Sequence, residues 1–122
     1  ARVGLSEQEA EKLAIKYQVY IFPFSEIDRA VTDGKTKGLA KIITSPKGKL
    51  LGACIVGHHA GELIAEYSLA ISQGLNVSAL SNTIQIYPTL AQINRRVADM
   101  RMKEQLTPSR KKWIKRLFGL RG

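Results

Sequence analysis

Cysteine, proline, aromatic residues and long apolar runs are all scarce in this sequence. Its 122 residues include one cysteine, Cys54, so no disulfide can form within the chain and a reducing, cytoplasmic location is expected. No apolar run approaches the ~20 residues that a membrane span requires, and residues 1–15 are too acidic for a signal peptide. Ten glycines and four prolines exclude a collagen-like or disordered chain. The composition therefore predicts one globular domain with one hydrophobic core.

The net charge of +9 is unevenly distributed along the chain. The segment from Thr107 to Gly122 holds six lysines and arginines and no acidic residue. The first 106 residues are nearly balanced, with 13 cations against 10 acids. Overall basicity is therefore no evidence that the folded domain binds nucleic acid, and no specific nucleic-acid partner is expected.

Local patterns predict an α+β fold in which helices pack on a small antiparallel sheet. Ser6 and Glu9 form a capping-box pattern at the start of a helix whose apolar positions extend to Tyr17. Pro23 cannot donate a ladder hydrogen bond and is expected at a sheet edge or a bulge. The predicted strands cover 18–24, 38–44 and 50–56, with a brief extended segment at 83–86, and further helices are predicted at 60–73, 78–81 and 88–105.

The segment from Gly38 to Val56 has the clearest hairpin pattern. Ser45-Pro46-Lys47-Gly48 fits a type I turn between two strands. The strand from Leu50 to Val56 is apolar on both alternating faces, which predicts an interior strand that is covered above and below.

The two longer predicted helices each carry an apolar stripe, and Gly74 is expected just after the end of the first, which begins at Ala60. Pro88 is expected to open the second. The stripes consist of Leu63, Ile64, Tyr67 and Ile71 in the first helix and of Leu90, Ile93, Val97 and Met100 in the second.

Candidate chemical motifs within the body of the chain are weak. Gly34-Lys35-Thr36 is similar to the end of a phosphate-binding loop, but Arg29 stands where that motif needs a glycine, so a turn with solvated lysines is favoured. Cys54 lies in an apolar strand without a cationic neighbour in sequence, which favours a buried structural thiol over a nucleophile.

His58, His59 and Glu62 have spacing that suits a metal site, but such a site needs at least one more ligand from elsewhere. The sequence has no other histidine. We therefore expect no metal and favour a hydrogen-bonding role at a helix start. Residue chemistry alone predicts a small binding or assembly domain.

The C-terminal segment 107–122 has a separate pattern. Its apolar residues fall within one helical arc and its cations occupy the rest, which is typical of an interfacial membrane helix or a partner-binding helix. The alternative is a solvated basic end that is detached at Thr107-Pro108-Ser109, with phosphate contacts to nucleic acid as a lesser variant. The apolar residues are Trp113, Ile114, Leu117, Phe118 and Leu120.

Four segments of the chain resemble, in order, the C-terminal dimerisation domain of the pyridine nucleotide–disulfide oxidoreductases, a flavoprotein family that includes dihydrolipoamide dehydrogenase, glutathione reductase and mercuric reductase. The resemblance covers about residues 1–100, and the third segment is the most specific. The segments are Ala1-Arg-Val-Gly-Leu-Ser-Glu, Gly38-Leu-Ala-Lys-Ile, Leu51-Gly-Ala-Cys-Ile-Val-Gly-His-His-Ala-Gly-Glu-Leu-Ile and Ile86-Tyr-Pro-Thr-Leu.

This resemblance implies that residues 1–106 are the dimerisation domain of a longer enzyme, followed by the basic tail 107–122. It explains a start at Ala1 without methionine. The implied full-length enzyme uses FAD and NAD(P)H, which this fragment alone is not expected to bind, and its redox-active disulfide lies upstream. The resemblance further implies a homodimer that also contacts the FAD and NAD(P) domains of the same and the partner chain, and the apolar stripes would then exceed what one small sheet can cover.

In the family this domain delivers a histidine, within a His-Pro-Thr segment, to the partner subunit's flavin and disulfide, and a glutamate five residues later orients it. The matching positions here are Tyr87, Pro88, Thr89 and Gln92. The resemblance therefore implies catalytic positions at Tyr87 and Gln92 and cofactor contacts at Tyr87 and Pro88. A tyrosine, with a pKa of about 10, cannot replace imidazole as a base at neutral pH.

A tyrosine at or near this position is more similar to the mercuric reductases, although the tail lacks the paired cysteines that those enzymes carry. The resemblance thus implies a mercuric reductase-like enzyme, with a purely packing role for Tyr87 as the alternative. A different function class is also open: a free-standing scaffolding module, or one peripheral at the membrane, that acts through residues 110–121.

Overall fold

The computed structural model describes residues 1–106 and Arg116. Its four strands form one antiparallel sheet in the order β1-β4-β3-β2, with the helices packed on it, which confirms the predicted α+β class. In the described part of the chain, no helix has the length and apolarity to cross a membrane. The elements are β1 Arg2–Gly4, α1 Glu7–Lys12, β2 Gln18–Pro23, α2 Asp28–Thr32, β3 Leu39–Thr44, β4 Leu50–Val56, α3 Ala60–Ser72, α4 Val77–Asn82 and α5 Gln92–Glu104, with a turn of 3-10 helix at Phe24–Glu26.

The hairpin of β3 and β4 is confirmed, and β4 lies inside the sheet between β1 and β3. The N–H of Gly48 donates to the carbonyl of Ser45 at 2.9 Å, which closes the predicted turn. A bulge at Ile43/Thr44 shifts the register close to this turn. Pro23 belongs to the edge strand β2, as its missing N–H requires.

The prediction that β4 is covered on both faces is wrong for this chain. One face of the sheet packs into the core with the helices, through residues such as Ala53 and Ile55. On the opposite face α1 is only six residues long and covers part of the area, held by an ion pair of 2.7 Å between Glu7 and Lys41. Val56 therefore remains exposed.

Cys54 lies on this partly open face and is half-buried, so the expectation of a buried thiol is wrong. Its ladder partners are Arg2 on β1 and Lys41 on β3. Strand pairing thus supplies the cationic neighbours that the sequence around Cys54 lacks.

Helix α1 begins at the predicted capping box, where the Ser6 hydroxyl accepts from the N–H of Glu9 at 3.1 Å. It ends at Lys12 and does not reach Tyr17, because Ala14 adopts a left-handed conformation with φ 54°. The prediction of its length is wrong for that reason.

Helix α3 confirms the first stripe: Leu63 and Tyr67 are buried, and Gly74 follows its C-terminal end. Helix α4 confirms the short helix that the sequence predicts at 78–81. The predicted strand at 83–86 is not part of the sheet; instead Gln85 donates to the Glu66 carboxylate of α3 at 2.8 Å.

Helix α5 begins at Gln92, four residues later than predicted. The carbonyl of Pro88, which a helix from that residue needs as acceptor, instead accepts from Arg29, and the N–H of Gln92 donates to Thr89. Met100 is exposed and is not part of the buried face, which is another correction. The buried residues of α5 are Ile93, Asn94, Val97, Ala98 and Arg101.

The predicted tail 107–122 lies outside the described residues, apart from Arg116.

Candidate functional site

The segment between α4 and α5 presents Tyr87 and Pro88 at the surface. The peptide bond between them is cis. The hydroxyl of Thr89 donates to the carbonyl of Ile86 at 2.6 Å, which closes a turn around the two residues. Pro88 is exposed, and the side chain of Tyr87 is 64% exposed. These residues are therefore available to a partner.

Helix α2 holds this turn through two contacts between residues 59 positions apart in sequence. The Tyr87 hydroxyl donates to Oδ2 of Asp28 at 2.7 Å. Nη1 of Arg29 donates to the carbonyl of Pro88 at 3.4 Å, while its Nε pairs with Asp33 at 2.9 Å. Successive residues of α2 thus contact successive residues of the turn.

The Asp28 carboxylate raises the pKa of Tyr87 above its ordinary value, first through the hydrogen bond and then through its negative charge. The phenol is therefore protonated at neutral pH, with its proton directed to Asp28. Gln92, the other predicted catalytic residue, is half-buried at the start of α5. The hydrogen bond of Tyr87 goes to α2 and not to Gln92.

A shallow cavity of about 340 Å³ lies beside the turn. Its charged and titratable lining residues are Arg29, Asp33 and His59, and Thr89 and Leu90 contribute from the turn side. His59 precedes α3 in a left-handed conformation with φ 59°.

The predicted hydrogen-bonding role of the histidines at a helix start is wrong. His59 stands at the N-cap of α3 without a side-chain cap hydrogen bond, and its Nδ1 lies 3.8 Å from the Glu62 carboxylate. The ring of His58 lies 4.0 Å from that of His59. Among the described residues no three His, Cys, Asp or Glu side chains converge as a metal site.

Gly34-Lys35-Thr36 follows the end of α2 as a turn, as predicted. The N–H of Gly34 donates to Val31 and that of Lys35 donates to Ala30, so these backbone groups terminate a helix.

Exposed apolar residues lie on α3, just after α3 and in the segment that precedes Tyr87. We call Leu69, Leu75, Ile84 and Ile86 the apolar strip; Ile84 is 88% and Ile86 is 77% exposed. The hydrogen bond from Gln85 to Glu66 places the 84–86 segment against α3, the helix that carries Leu69. A cavity of about 240 Å³ lies between Leu69 and Leu75.

Comparison with known proteins identifies the domain. The family model described as "Pyridine nucleotide-disulphide oxidoreductase, dimerisation domain" matches residues 1–97. The chain belongs to this family. The dimerisation domain is 46% identical over 93 residues to a dihydrolipoyl dehydrogenase from Thermus scotoductus, an alignment that covers 75% of this chain and 20% of that protein. It is 43% identical over 93 residues to a dihydrolipoamide dehydrogenase from Chaetomium thermophilum, covering 75% of this chain and 18% of that protein.

A solved structure shows the same fold. The HOCl-induced flavoprotein disulfide reductase RclA from Escherichia coli matches with a TM-score of 0.76 and 26% identity, over 80% of this chain and 23% of that one. The dimerisation domain thus spans about a fifth of the length of the curated relatives that it matches.

The family assignment confirms the first of the two function classes, a dimerisation domain of an oxidoreductase family. Members of the family depend on FAD and NAD(P)H. The membrane-surface or scaffolding alternative gains no support from the match. The mercuric reductase likeness, the cytoplasmic location, the boundary at residue 106 and the roles of Tyr87, Pro88 and Gln92 stay predictions.

Sequence reasoning missed Asp28 and Arg29, because the five residues of α2 are too few to show a helical period. One signal was available: Asp33-Gly34 is as typical of a helix end as of an isolated turn.

Proposed function

We propose that this domain forms the subunit interface of a homodimeric, FAD- and NAD(P)H-dependent disulfide oxidoreductase, and that its Tyr87–Pro88 turn completes the active site of the partner subunit. The observation that carries the proposal is that Ile84 and Ile86, two highly exposed apolar residues, stand immediately before Tyr87 in the chain. A second copy that covers Ile86 also meets the next residue in the chain.

Exposed apolar side chains in a contiguous patch are typical of a protein interface. The apolar strip presents such side chains, since Ile84 and Ile86 are among the most exposed large hydrophobic residues of the described chain. Ile21, by contrast, lies on the sheet face opposite α3, because Tyr20 and Phe22 beside it in β2 point into the core. It therefore provides a matched exposed isoleucine away from the proposed interface.

Tyr87 differs from the family histidine in its chemistry. Its pKa is raised, so it holds its proton at neutral pH and cannot act as the base. Because the O–H is donated to Asp28, the phenol oxygen offers its lone pairs as acceptors to a thiol of the partner's site. We therefore propose that Tyr87 orients a thiol by hydrogen bonding.

Tyr87 and Pro88 fit a position at the edge of a flavin held by the partner subunit, since both are exposed on a turn that α2 fixes from behind. When bound, FAD supplies electron transfer between the nicotinamide and the active-site disulfide. This chain's contribution is limited to contact, orientation and exclusion of water at that edge.

Sedimentation of the 122-residue chain tests the interface. We expect the mass to rise towards that of a dimer with concentration, Ile86→Glu to shift the equilibrium to monomer, and Ile21→Glu to leave it unchanged. A dimer that persists in Ile86→Glu, or a wild-type chain that stays monomeric at high concentration, contradicts the proposal.

A chimera tests the active-site role. Residues 1–97 replace the matching segment of the Thermus scotoductus dihydrolipoyl dehydrogenase, and NAD-dependent oxidation of dihydrolipoamide is measured. We expect a flavin-containing dimer with low turnover, which the double substitution Tyr87→His and Gln92→Glu raises by about 10²-fold, the usual contribution of a positioned acid–base group. Tyr17→His serves as a control without effect. Unchanged turnover in the doubly substituted dimer contradicts a role for Tyr87 in the partner's site.

A further inference from the structure

We propose that Asp28 and Arg29 are positioning residues that hold the Tyr87–Pro88 turn in the orientation in which it meets the partner subunit. This inference rests on the proposed function, since it assigns a purpose to an orientation. The inference goes beyond the proposed function by naming α2 as the element that sets the orientation of the turn.

The first argument is the pairing of contacts. Asp28 accepts from the Tyr87 hydroxyl at 2.7 Å and Arg29 donates to the Pro88 carbonyl at 3.4 Å. One contact fixes the side chain and the other fixes the backbone of the same turn. Together they define the direction of the phenol more narrowly than either contact alone.

The second argument is exposure. Asp28, Arg29 and Tyr87 all reach the surface, where water can satisfy each polar group. The contacts are therefore not required to compensate buried polar atoms, and exposed pairs add little to stability. The contacts of Asp28 and Arg29 therefore affect mainly the geometry of the turn.

The third argument is the anchoring of α2. Ile27 is 2% exposed and Ala30 is fully buried, so the backbone that carries Asp28 and Arg29 is fixed to the core on both sides. Charged groups on such an anchored backbone can fix the orientation of a surface turn, because the helix that carries them does not move.

The fourth argument concerns charge. The side chain at position 92, on the element that bears the turn, is an uncharged glutamine. The carboxylate that faces position 87 instead comes from α2. The charged and titratable groups around the turn are Asp28, Arg29 and Asp33 on the α2 side and His59 at the start of α3.

The test uses the 122-residue chain with ¹³C-labelled tyrosine rings, followed by NMR as the pH is raised. Asp28→Asn is expected to lower the pKa of Tyr87 towards the ordinary tyrosine value and to increase the motion of its ring, and Asp28→Glu to restore both. Glu11→Gln is the matched control, since Glu11 accepts from the exposed Tyr17 hydroxyl at the same distance of 2.7 Å. It should change Tyr17 and leave Tyr87 unaltered.

Arg29→Gln tests the backbone contact in the same samples. It is expected to increase the motion of the Tyr87 ring without removing the carboxylate, since the Pro88 carbonyl loses its donor. A Tyr87 pKa and ring motion that Asp28→Asn and Arg29→Gln both leave unchanged overturns the inference. If Asp28→Asn fails to fold, Arg29→Gln and Asp28→Glu decide it.

Failure of the inference and failure of the proposed function give different results. Altered Tyr87 dynamics in Asp28→Asn, together with an inert Tyr87 in the chimera, supports the positioning contacts and contradicts the active-site role. Unaltered dynamics in Asp28→Asn and Arg29→Gln, together with an active-site effect at Tyr87, overturns the positioning contacts alone.

Discussion

The guanidinium group of Arg101 lies directly against Gly48 in the turn that joins β3 to β4. A Cβ atom built on Gly48 would lie 2.7 Å from the Cζ atom of Arg101. Nη2 of Arg101 donates to the carbonyl of Pro46 at 3.1 Å, and the side chain is only 7% exposed. The buried guanidinium group of Arg101 on α5 thus supports the β3–β4 hairpin by direct contact with its turn.

Gly48→Ala is expected to lower the free energy of unfolding by about 2–3 kcal/mol, since a left-handed φ of 92° and the contact with Arg101 both oppose a side chain. Gly34→Ala is the control: φ is 68° there, but no atom lies within 4 Å of the added Cβ, so a loss of about 1 kcal/mol is expected. Urea denaturation measures both values. Equal losses would show that the Arg101 contact has no energetic effect.

Tyr67→Phe is expected to leave the free energy of unfolding unchanged or to raise it by about 1 kcal/mol. The Tyr67 hydroxyl is buried and finds no hydrogen-bond partner among the described residues, so its removal ends a desolvation penalty. Tyr20→Phe is the comparison, because the Tyr20 hydroxyl donates to Gln18 at 2.9 Å, and a loss of about 1 kcal/mol is expected. A clear loss in Tyr67→Phe argues for a bound water or another partner at that hydroxyl.

Alkaline pH is expected to destabilise the domain. Burial raises the pKa of Tyr67 well above its ordinary value and raises the pKa of Tyr20 to about 12. Between about pH 10 and pH 12 the unfolded chain has released these protons while the folded chain retains them, so the free energy of unfolding falls as pH rises. Urea denaturation from pH 9 to pH 12 measures the slope. Tyr67→Phe should flatten it more than Tyr17→Phe does, because the pKa of Tyr17 is raised first by its hydrogen bond to Glu11. An identical slope in both variants counts against burial as the cause.

Ser6→Ala is expected to cost about 1 kcal/mol of stability, because it removes the hydroxyl that accepts from the N–H of Glu9 at 3.1 Å. Thermal unfolding followed by circular dichroism provides the measurement. Ser6→Thr retains a hydroxyl and should retain most of the stability; a Thr variant as unstable as the Ala variant would count against the hydroxyl as the source of the stabilisation.

The sequence predicted those parts of the fold that local chemistry determines. Turn residues at Ser45–Gly48 and the alternation within Leu50–Val56 were enough to place the hairpin. The start of α5 was not predictable in this way, because Pro88 is a typical first helical residue and its carbonyl accepts instead from Arg29, which is distant in sequence. Cys54 was placed in the correct strand, but its half-buried state and its neighbours Arg2 and Lys41 were not predictable, because they depend on strand pairing and on the short α1.

The same distinction between local and distant determinants applies to the candidate site. Tyr87 and Pro88 could be found because a family motif marks their positions. Asp28 could not, since its relation to Tyr87 exists only after two segments 59 residues apart meet. The five-residue α2 that brings them together has no periodic pattern in sequence.

The chain leaves the sheet after Pro23 and returns at Leu39, and these two residues are ladder partners. Residues 24–38 therefore form a loop whose two ends are held together in the sheet, and α2 lies within this loop. Within this segment Ile27 and Ala30 belong to the core, whereas Asp28 and Arg29 are exposed and can be substituted without disturbing the core or the strand pairing. Under the proposed function, substitutions at these two positions alone would change how Tyr87 is presented to a partner subunit, because they alter its contacts and leave the sheet unchanged.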